Sequence, residues 1–448
     1  MTPIQQMFIG LGAASDSYWW VLFGDMDNNQ EKFNDMHLDS SDNIYATGYT
    51  SNGPNSGADG IATKWDKDGA LQWQRAQGAG SGNDYWFGSS LDSSDNLWCY
   101  GRDASTYRMT FGKLTTSNQS WGTSKRYEQN SSSAGQGTNG VGGYASYGFA
   151  CGTTSYLNKQ GWVWGHNSSG NNSGGSKLTA GDNTDGSGTA RQVNPNCICA
   201  AKSAGNIHTA GYIEDLTWNS QSRNVGFIAK LNDYAGALTW QRFIGTNYTN
   251  IGGIDTDSSD NVYVAGQDND GTGTKAFVAK YNSSGTIQWQ RRLGTPCDGG
   301  TYAIAVDDDG NSYSCGKVAT GQHGWIAKLD ASGSTSWCRT FKTSVTADEE
   351  ELQQIRLDSG GNLVICGHHR DDAESSDIAL LMRLPSDGSF TGTYGIFTFT
   401  AATPTNADAS MTTSSDSHIT RATNQVDPVA FTIDQDTPSF ATTLQAIE

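Results

Sequence analysis

The chain has 448 residues, more than one hydrophobic core usually serves, so several domains or a repeat architecture is expected. The formal net charge is -18 with only 17% charged residues, which argues against nucleic acid, whose phosphates need clustered Lys and Arg, and against anionic lipid. Abundant Gly (55), scarce Pro (8) and 14 Trp with 18 Tyr indicate many short strands joined by turns. No apolar run approaches the length of a membrane span.

The first segment, MTPIQQMFIGLGAASDS (1–17), has no basic region and a very short apolar run. It does not resemble a secretory signal, and we expect it to dock outside the repeats. The next stretch, YWWVLFG (18–24), predicts a strand, because Trp20 precedes Gly48 by 28 residues, as Trp73 precedes Gly101. This strand comes before any complete repeat and is expected to complete the last one. FTGTYGIF (390–397) competes for the same place, and the N-terminal strand is favoured.

A repeat of about 50 residues occupies 18–397. In each unit a glycine ends a short apolar strand, and an asparagine, or Gln160 in the third unit, stands five residues before it. The glycines are Gly48, Gly101, Gly165, Gly211, Gly266, Gly316 and Gly367. A second marker, a basic residue followed by a large apolar one, comes 12 to 19 residues after each glycine, as in Lys64-Trp65 and Lys177-Leu178. The two markers give seven units.

Each unit predicts four strands with period-2 alternation: strand A as in AIAVD, B as in NVYVAG, C as in FVAKY and D as in IQWQR. One small sheet cannot bury its faces alone, so repeated units pack against each other. We therefore predict an all-β fold, a seven-bladed β-propeller of four-stranded blades with short N-terminal and C-terminal extensions. The predicted boundaries are 1–17 for an N-terminal docking segment, 18–397 for the propeller and 398–448 for a C-terminal extension.

The pentapeptide DSSDN recurs at 39–43, 92–96 and 257–261, between strands A and B. A turn is the favoured interpretation, because Asp and Asn side chains accept nearby backbone N–H groups. Calcium is the alternative, but this cation needs six to eight oxygen ligands. The repeated basic residue is expected to pair with the leading aspartates, which are Asp39, Asp92, Asp257, Asp307 and Asp358. The eight cysteines indicate buried reduced thiols, and no metal site and no cofactor are predicted.

The strand scheme assigns the connections to two faces. The tight A–B and C–D turns lie on one face, called the turn face, and the B–C and D–A connections lie on the other, called the loop face. Six long connections are predicted on the loop face, at 49–59, 126–143, 166–174, 212–224, 344–351 and 368–377. Binding residues tend to lie on irregular loops over a rigid scaffold, so the loop face is the predicted binding surface.

The candidate ligand-binding residues are the aromatic, basic and histidine side chains of the loop face that do not recur in every unit. They are Tyr85, Trp86, Tyr144, Tyr212, Trp218, Arg223, His323, His368, His369 and Arg370. Rings with nearby amides and carboxylates suit sugar binding, and the alternative is that each ring packs its own loop. Metal ligation by His368 and His369 is disfavoured.

The chain carries no GxSxG, HExxH or P-loop motif, so we predict that it is not an enzyme. Carboxylate pairs assembled from different blades for glycoside cleavage remain an alternative. From 398 the composition turns to Thr, Ala, Ser and Asp, with Arg421 as the one basic residue. A disordered linker is one interpretation. The apolar pieces VAFTI and FATTLQAI instead favour strands added to a partner or docking at an assembly interface.

Two resemblances add to this. The segments HLDSSDNIYATGYT (37–50), IDTDSSDNVYVAG (254–266) and AIAVDDDGNSYSCG (303–316) resemble seven-bladed β-propeller repeats of bacterial and phage proteins. The tryptophan strands resemble those of quinoprotein-type propellers, although no cofactor-binding constellation can be carried over. TPIQQMFIGLGA (2–13) is similar to opening segments of marine bacteriophage virion proteins, usually tail or fibre components.

These resemblances imply a phage virion structural protein in the tail, assembled in the host cytoplasm, that displays one face for host-surface or neighbour-protein binding. The expected partners are other virion proteins, bound through the termini, and a host surface glycan, with no nucleic acid and no membrane insertion. The alternatives are a propeller enzyme that degrades cell-surface polysaccharide and a protein–protein interaction scaffold outside any virion.

Overall fold

The structure is a computed structural model. It describes residues 6–9, 18–24, 30–51, 57–78, 82–103, 108–117, 119–127, 136–144, 147–154, 161–166, 172–180, 192–201, 205–218, 221–232, 237–269, 271–319, 323–343, 348–371, 376–409, 411–414, 419–422, 428–430 and 434–436. These residues form strands and turns with no helix, so none of them lies in a helix that could cross a membrane.

The chain opens with β1 (Gln6–Ile9) and β2 (Tyr18–Phe23). Antiparallel groups of consecutive strands follow, called blades. Blade 1 contains β3 (Glu31–Leu38), β4 (Ile44–Thr50), β5 (Asp59–Trp65) and β6 (Leu71–Gly78). Blade 2 contains β7 (Asp84–Leu91), β8 (Leu97–Asp103), β9 (Arg108–Thr115) and β10 (Ser120–Tyr127). Blade 3 contains β11 (Gln136–Tyr144), β12 (Tyr147–Thr154), β13 (Gly161–His166) and β14 (Asn172–Ala180).

Blade 4 contains β15 (Val193–Ala200), β16 (Asn206–Trp218), β17 (Gln221–Asn232) and β18 (Leu238–Gly245). Blade 5 contains β19 (Tyr248–Thr256), β20 (Val262–Asn269), β21 (Thr274–Tyr281) and β22 (Ile287–Leu293). Blade 6 contains β23 (Thr301–Val306), β24 (Ser312–Lys317), β25 (Gly324–Leu329) and β26 (Thr335–Thr343). Blade 7 combines β27 (Glu349–Leu357), β28 (Leu363–Asp371) and β29 (Ser376–Leu384) with β2, which pairs with β29. The N-terminal strand thus takes the predicted outer position.

The apolar core lies between blades. In the described part of the chain the buried apolar side chains form seven clusters, and each is shared by two adjacent blades. One cluster joins Trp19 and Val364 of blade 7 to Phe33 and Ile44 of blade 1. The first strands of neighbouring blades also pack side by side. This face-to-face packing of separate small sheets confirms the predicted all-β propeller fold.

The DSSDN segments are turns. Asp39 accepts backbone N–H groups from Ser41 and Asn43, both at 2.9 Å, while its carboxylate also contacts Lys64 at 3.6 Å. The fourth residue, Asp42, has a φ of 62°, in the left-handed region that Asp tolerates. The lysine lies over the Tyr45 ring at 4.8 Å. The predicted turn and the predicted structural pairing with lysine are both confirmed here.

The same arrangement in blade 2 gives a pH-dependent contribution to stability. Burial opposes ionisation of Asp92, but Lys113 at 2.9 Å and the Asn96 and Ser94 donors outweigh it and lower the pKa of Asp92. A depressed pKa contributes stability above the unfolded value, which is near 3.8, and that stability is lost as the pH falls below it. Asp92→Asn should therefore lose about 1–3 kcal/mol at pH 7, and this loss should shrink as the pH falls below 3.8 towards the lowered pKa of the folded protein.

Urea unfolding of both proteins across this pH range measures the effect. Asp68→Asn is the control, because the Asp68 side chain is 56% exposed, and it should leave the pH profile unchanged. A difference between Asp92→Asn and the native chain that stays constant from pH 7 to pH 3 would contradict the ion-pair explanation.

The tryptophan of strand D connects blades 4, 5, 6 and 7 to the blade that follows each of them. Trp289 of blade 5 donates to the Ala331 carbonyl in the C–D turn of blade 6, at 3.0 Å. In blade 7 this position is held by Trp19, which pairs with Arg383, and not by Trp20, as the 28-residue spacing indicated. Trp19 donates to the Lys67 carbonyl in the corresponding turn of blade 1, at 3.1 Å. An indole N–H that is otherwise buried needs such an acceptor. The tryptophan marks a contact between blades, as the glycine marks a contact within a blade.

The chain termini add outer strands to the blades. The first strand, β1, pairs with β2 on blade 7. The C-terminal strands are β30 (Gly392–Tyr394), β31 (Phe397–Ala402), β32 (Asn406–Asp408), β33 (Thr412–Ser414), β34 (Ile419–Ala422), β35 (Pro428–Ala430) and β36 (Asp434–Asp436). From β31 to β36 they pair in turn with the fourth strands of blades 6, 5, 4, 3, 2 and 1. We call 397–436 the belt, because it passes outside six blades in reverse chain order.

The favoured N-terminal strand is confirmed over its competitor, and the strand assignment of the third unit needs correction. The competing segment 390–397 lies in β30 and at the start of β31, on the outside of blade 6. In the third unit the strand-B glycine is Gly152, which pairs with Thr138, and Gly165 lies in the third strand. Lys177-Leu178 consequently belongs to the fourth strand, and the long connection 166–174 joins strands C and D on the turn face. None of the eight cysteines, all of which lie in the described part of the chain, forms a disulfide, and all but Cys199 are buried.

Candidate functional site

A β-bulge interrupts the first strand of every blade at the same place. The strand register shifts at Asn34, Phe87, Asn139, Asn196, Gly252, Tyr302 and Gln353. A bulge leaves one residue without a cross-strand partner and turns it away from the ladder. Each blade therefore has one residue in its first strand whose identity is not fixed by the repeated strand pairing.

The repeated glycine of strand B results from this bulge. A Cβ at Gly48 would lie 1.7 Å from the Lys32 carbonyl oxygen, two residues before the bulge. At Gly367 the corresponding distance to the Glu351 oxygen is 2.0 Å. The bulged backbone occupies the space of a side chain, so only glycine fits opposite it. The strongest repeat signal in the sequence thus marks the position of the bulge.

The bulge residues line a channel on the axis of the propeller. Its cavity volume is about 410 Å3, and its wall is built from the first strands of blades 1, 2, 4, 5, 6 and 7 with Tyr212 from β16. Six bulge residues line it: Asn34, Phe87, Asn196, Gly252, Tyr302 and Gln353. Asn139 lies at the equivalent place in β11, and its side chain is outside the described part of the structure. The channel collects the residues that differ among blades.

A buried carboxylate holds the wall of the channel together. Asp35 accepts from the backbone N–H of Ser89 and from Gln354 Nε2, at 2.8 and 2.9 Å. Burial opposes its ionisation, but His37, at 3.5 Å, and Arg356, at 4.0 Å, outweigh that and lower the pKa of Asp35. The charges of Asp35 and Arg356 offset each other, so the middle of the channel presents mainly amides and rings.

The loop-face end of the channel is acidic. Glu349 pairs with Lys317 at 2.9 Å, while Glu351 accepts from the Gln353 amide at 2.5 Å. Burial, and then Glu351 and Glu349, raise the pKa of Tyr302, so its hydroxyl stays protonated and can donate. The hydrogen-bond partner of Glu351 is a neutral amide, whereas Glu349 is paired with a lysine.

Aromatic rings extend from the channel towards blade 1. Phe87 stacks on Tyr85 with ring centroids 5.8 Å apart, and Tyr85 contacts Tyr49 edge to face at 4.9 Å. Arg102 lies over the Tyr85 ring at 5.7 Å. All three rings are half-buried, so each keeps some exposed surface. This row of rings and the amides of the channel form one continuous surface.

The structure separates the predicted site residues into different environments. Tyr212 lines the channel, and Tyr85 reaches it through Phe87. Trp86 is 4% exposed and stacks on Trp121 in the core between blades 1 and 2, so its ring is not presented to a ligand. Arg223 donates to the Thr246 carbonyl. Tyr144 and Trp218 lie in β11 and β16, and their side chains are outside the described part of the structure.

The predicted histidines lie between blades rather than in the channel. Adjacent residues of a strand point to opposite sides, so His368 meets blade 1 and His369 meets blade 6. Lys32 donates to His368 Nε2 at 3.1 Å, and burial and then Lys32 hold the pKa of His368 well below its ordinary value. His369 and His323 approach Glu350, at 3.4 and 3.9 Å. Among the described residues, no three His, Cys, Asp or Glu side chains are grouped for a metal ion.

Arg370 is exposed at the end of β28, beyond both histidines.

The bulge residues were not identified from the sequence, although a signal for them existed. They stand 13 to 15 residues before each strand-B glycine. A glycine that recurs within a strand indicates that another backbone segment lies very close to it. When that segment belongs to the neighbouring strand, the close contact indicates a bulge in the neighbouring strand. Applying this rule to each unit would have identified the channel positions.

No protein-family model matches the sequence, and no curated protein matches it at a significant level. Solved structures of similar fold include the polysaccharide lyase Uly1, at 10% identity and a TM-score of 0.47, covering 79% of this chain and 90% of that one. The quinohemoprotein alcohol dehydrogenase ADHIIG from Pseudomonas putida HK5 has 9% identity and a TM-score of 0.45, over 87% and 77%. Sqt1 from Chaetomium thermophilum has 10% identity and a TM-score of 0.44, over 81% and 97%.

Proposed function

We propose that this protein is a tail-associated structural protein of a phage virion that binds a surface ligand with its channel and loop face, without catalysing a reaction. One observation carries the binding proposal. The turns, lysines, tryptophans and glycines recur in most blades and account for the fold, whereas the bulge residues differ and converge on one channel. Variable residues on a rigid repeated scaffold are typical of a recognition site.

The virion context rests on the resemblance of residues 2–13 to phage tail or fibre segments, and the positions of the terminal strands are consistent with it. The first strand, β1, lies on blade 7, and the last described strand, β36, lies on the neighbouring blade 1. Both termini therefore leave the described structure on one sector of the rim. If the protein is attached to its virion partner at the outer edges of blades 7 and 1, the loop face remains accessible.

Particle composition tests the virion assignment. Phage particles that carry the gene should contain the full chain by mass spectrometry, and immunogold labelling with an antibody against it should mark the tail. Particles that lack the protein would overturn this part of the proposal, as would labelling confined to host debris. Genes for tail proteins beside this one would support the assignment independently.

Binding and catalysis are separated by a second measurement. Fluorescently labelled full-length protein should bind the surface of host cells and be competed by extracted host polysaccharide. Incubation with the same polysaccharide should release no reducing ends above the level of a heat-denatured control. Release of oligosaccharide would show that the protein is an enzyme and overturn the binding-only proposal, and absence of any surface binding would overturn the binding function.

A further inference from the structure

We infer that the axial channel binds one pyranose unit of a neutral glycan and discriminates against acidic sugars. This inference rests on the proposed binding function and specifies its ligand class. It is carried by the size of the channel, the side chains of its wall and the charge at its loop-face end.

The size and the amide groups fit a sugar ring. A volume of about 410 Å3 lies in the range of small-molecule sites. Amide side chains from several blades converge there, with Asn34, Asn196, Asn250 and Gln353 in the wall. An amide carries both donors and an acceptor, and a sugar hydroxyl is both donor and acceptor. Asn34 already donates to the Trp86 carbonyl, Asn196 to Asn250 Oδ1 and the Ile251 carbonyl, and Gln353 to Glu351. These three amides therefore meet sugar hydroxyl groups mainly through their carbonyl oxygens.

Aromatic side chains supply the complementary apolar contact. Phe87 and Tyr302 project from the bulges of blades 2 and 6, and Tyr212 lies on the wall of blade 4. The C–H faces of a pyranose are apolar, and a ring stacked on them is removed from water. At Gly252 the bulge of blade 5 carries no side chain, because a Cβ there would lie 2.7 Å from the Thr301 carbonyl oxygen. The rings thus stand on several sides of one open volume.

The charge determines which sugars fit. Arg356 is the guanidinium in the described wall of the channel, and Asp35 offsets its charge at 4.0 Å. At the loop-face end the carboxylate of Glu351 has the Gln353 amide as its hydrogen-bond partner. A uronic or sialic acid entering there would meet like charge in a partly desolvated site, which is unfavourable. A neutral hexose or N-acetylhexosamine has no such penalty.

Ligand-observed NMR and isothermal titration with the full chain test this inference. The probes are the methyl glycosides of glucose, galactose, mannose and N-acetylglucosamine, compared with glucuronic acid and N-acetylneuraminic acid. At least one neutral glycoside should bind, and the acids should bind at least about tenfold more weakly. Phe87→Ala, which removes the stacking ring, should weaken binding about tenfold or more.

Tyr302→Phe provides a gentler variant that keeps the packing and removes one hydroxyl, and it should weaken binding about threefold to tenfold. Tyr394→Phe is the matched control, because Tyr394 lies on β30 at the outside of blade 6, with its hydroxyl bonded to the Thr391 carbonyl. It should bind like the native chain. Circular dichroism and thermal unfolding verify that each variant is folded.

The outcomes test the glycan specificity of the channel separately from the proposed binding function. Glycoside binding that both channel variants leave unchanged would overturn the channel as the site, while host-cell binding would still support the proposed function. Equal binding of acidic sugars would overturn the ligand class. If the protein binds host cells but no neutral glycoside at millimolar concentration, the inference fails and the proposed function stands.

Discussion

Gly48→Ala is expected to lower the free energy of unfolding by about 3 kcal/mol or more. The added Cβ would lie 1.7 Å from the Lys32 carbonyl oxygen and 2.7 Å from its carbonyl carbon. These are backbone atoms held by the β-bulge of β3, so no side-chain rotation can relieve the overlap. The first strand must shift towards the channel, or the pair β3–β4 must separate.

Gly361→Asn is the matched control. Gly361 occupies the A–B turn of blade 7 with a φ of 77°, and a Cβ there would meet no atom within 4 Å. Asp42 holds the same turn position in blade 1 with a φ of 62°, and Asn tolerates this conformation similarly. The control should change stability by about 1 kcal/mol or less. Urea unfolding compares the two, and equal losses would contradict the steric explanation.

This prediction shows why the repeat was visible in the sequence. A turn such as 39–43 is specified by the side chains that form it, because Asp39 accepts from Ser41 and Asn43 within the same five residues. The strand-B glycine is specified equally strictly, because no other residue fits opposite a bulge. Local chemistry of this kind recurs with the blade, and it was enough to predict the propeller.

Blade 3 shows where this reasoning fails. Its second strand, β12, carries the repeated glycine as Gly152, but Tyr147 stands where the other blades carry asparagine, five residues before the glycine. QGWVWG, which ends at Gly165, matches the strand-B pattern of the other units better, so the sequence alone predicts it as strand B. The pairing of Gly152 with Thr138 depends on a contact with β11, and no residue of the local segment encodes it. Register between strands is a tertiary property.

The residues of the candidate surface were predicted only in part. Tyr212 was found because it follows the strand-B glycine on the loop face, and it does line the channel. Asn34 and Gln353 were missed because each lies inside a strand that reads as ordinary alternation. The bulge residues come together on the axis because the blades are arranged around it. The sequence indicates that arrangement only through the period of its repeat. A prediction restricted to loop residues therefore omits the first strands of the blades, which form most of the channel wall.

The belt was not predicted, because its strands carry no sequence pattern. Three or four residues paired through backbone groups need no particular side chains, and Thr, Ser and Asp give no alternation. Its physical purpose is clear from the edges that it covers. A fourth strand with unpaired N–H and C=O groups is a template for pairing with another chain, and an added strand blocks this. The belt satisfies those edges on six blades.

Removing residues 403–448 is therefore expected to make the protein self-associate. Deletion leaves β31 on blade 6 but uncovers the outer edges of blades 1 to 5. Exposed edges pair with each other, so the truncated chain should elute as larger species that grow with concentration, whereas the full chain should not show this growth. Light scattering coupled to gel filtration measures both. A truncated chain that behaves like the full chain at every concentration would contradict the role of the belt.

Shorter deletions predict an order that only this topology produces. Removing 434–448 should release the backbone amides at Ala76–Gly78 alone, because β36 pairs there. Removing 428–448 should also release Lys125–Tyr127, the partners of β35. The exchange of released amides should accelerate at least about tenfold in hydrogen–deuterium exchange, while blades 4 and 5 keep their protection under β33 and β32. Simultaneous release of all the outer strands would instead indicate that the terminal residues stabilise the propeller as a whole, and the belt would then not be a series of separate strand additions.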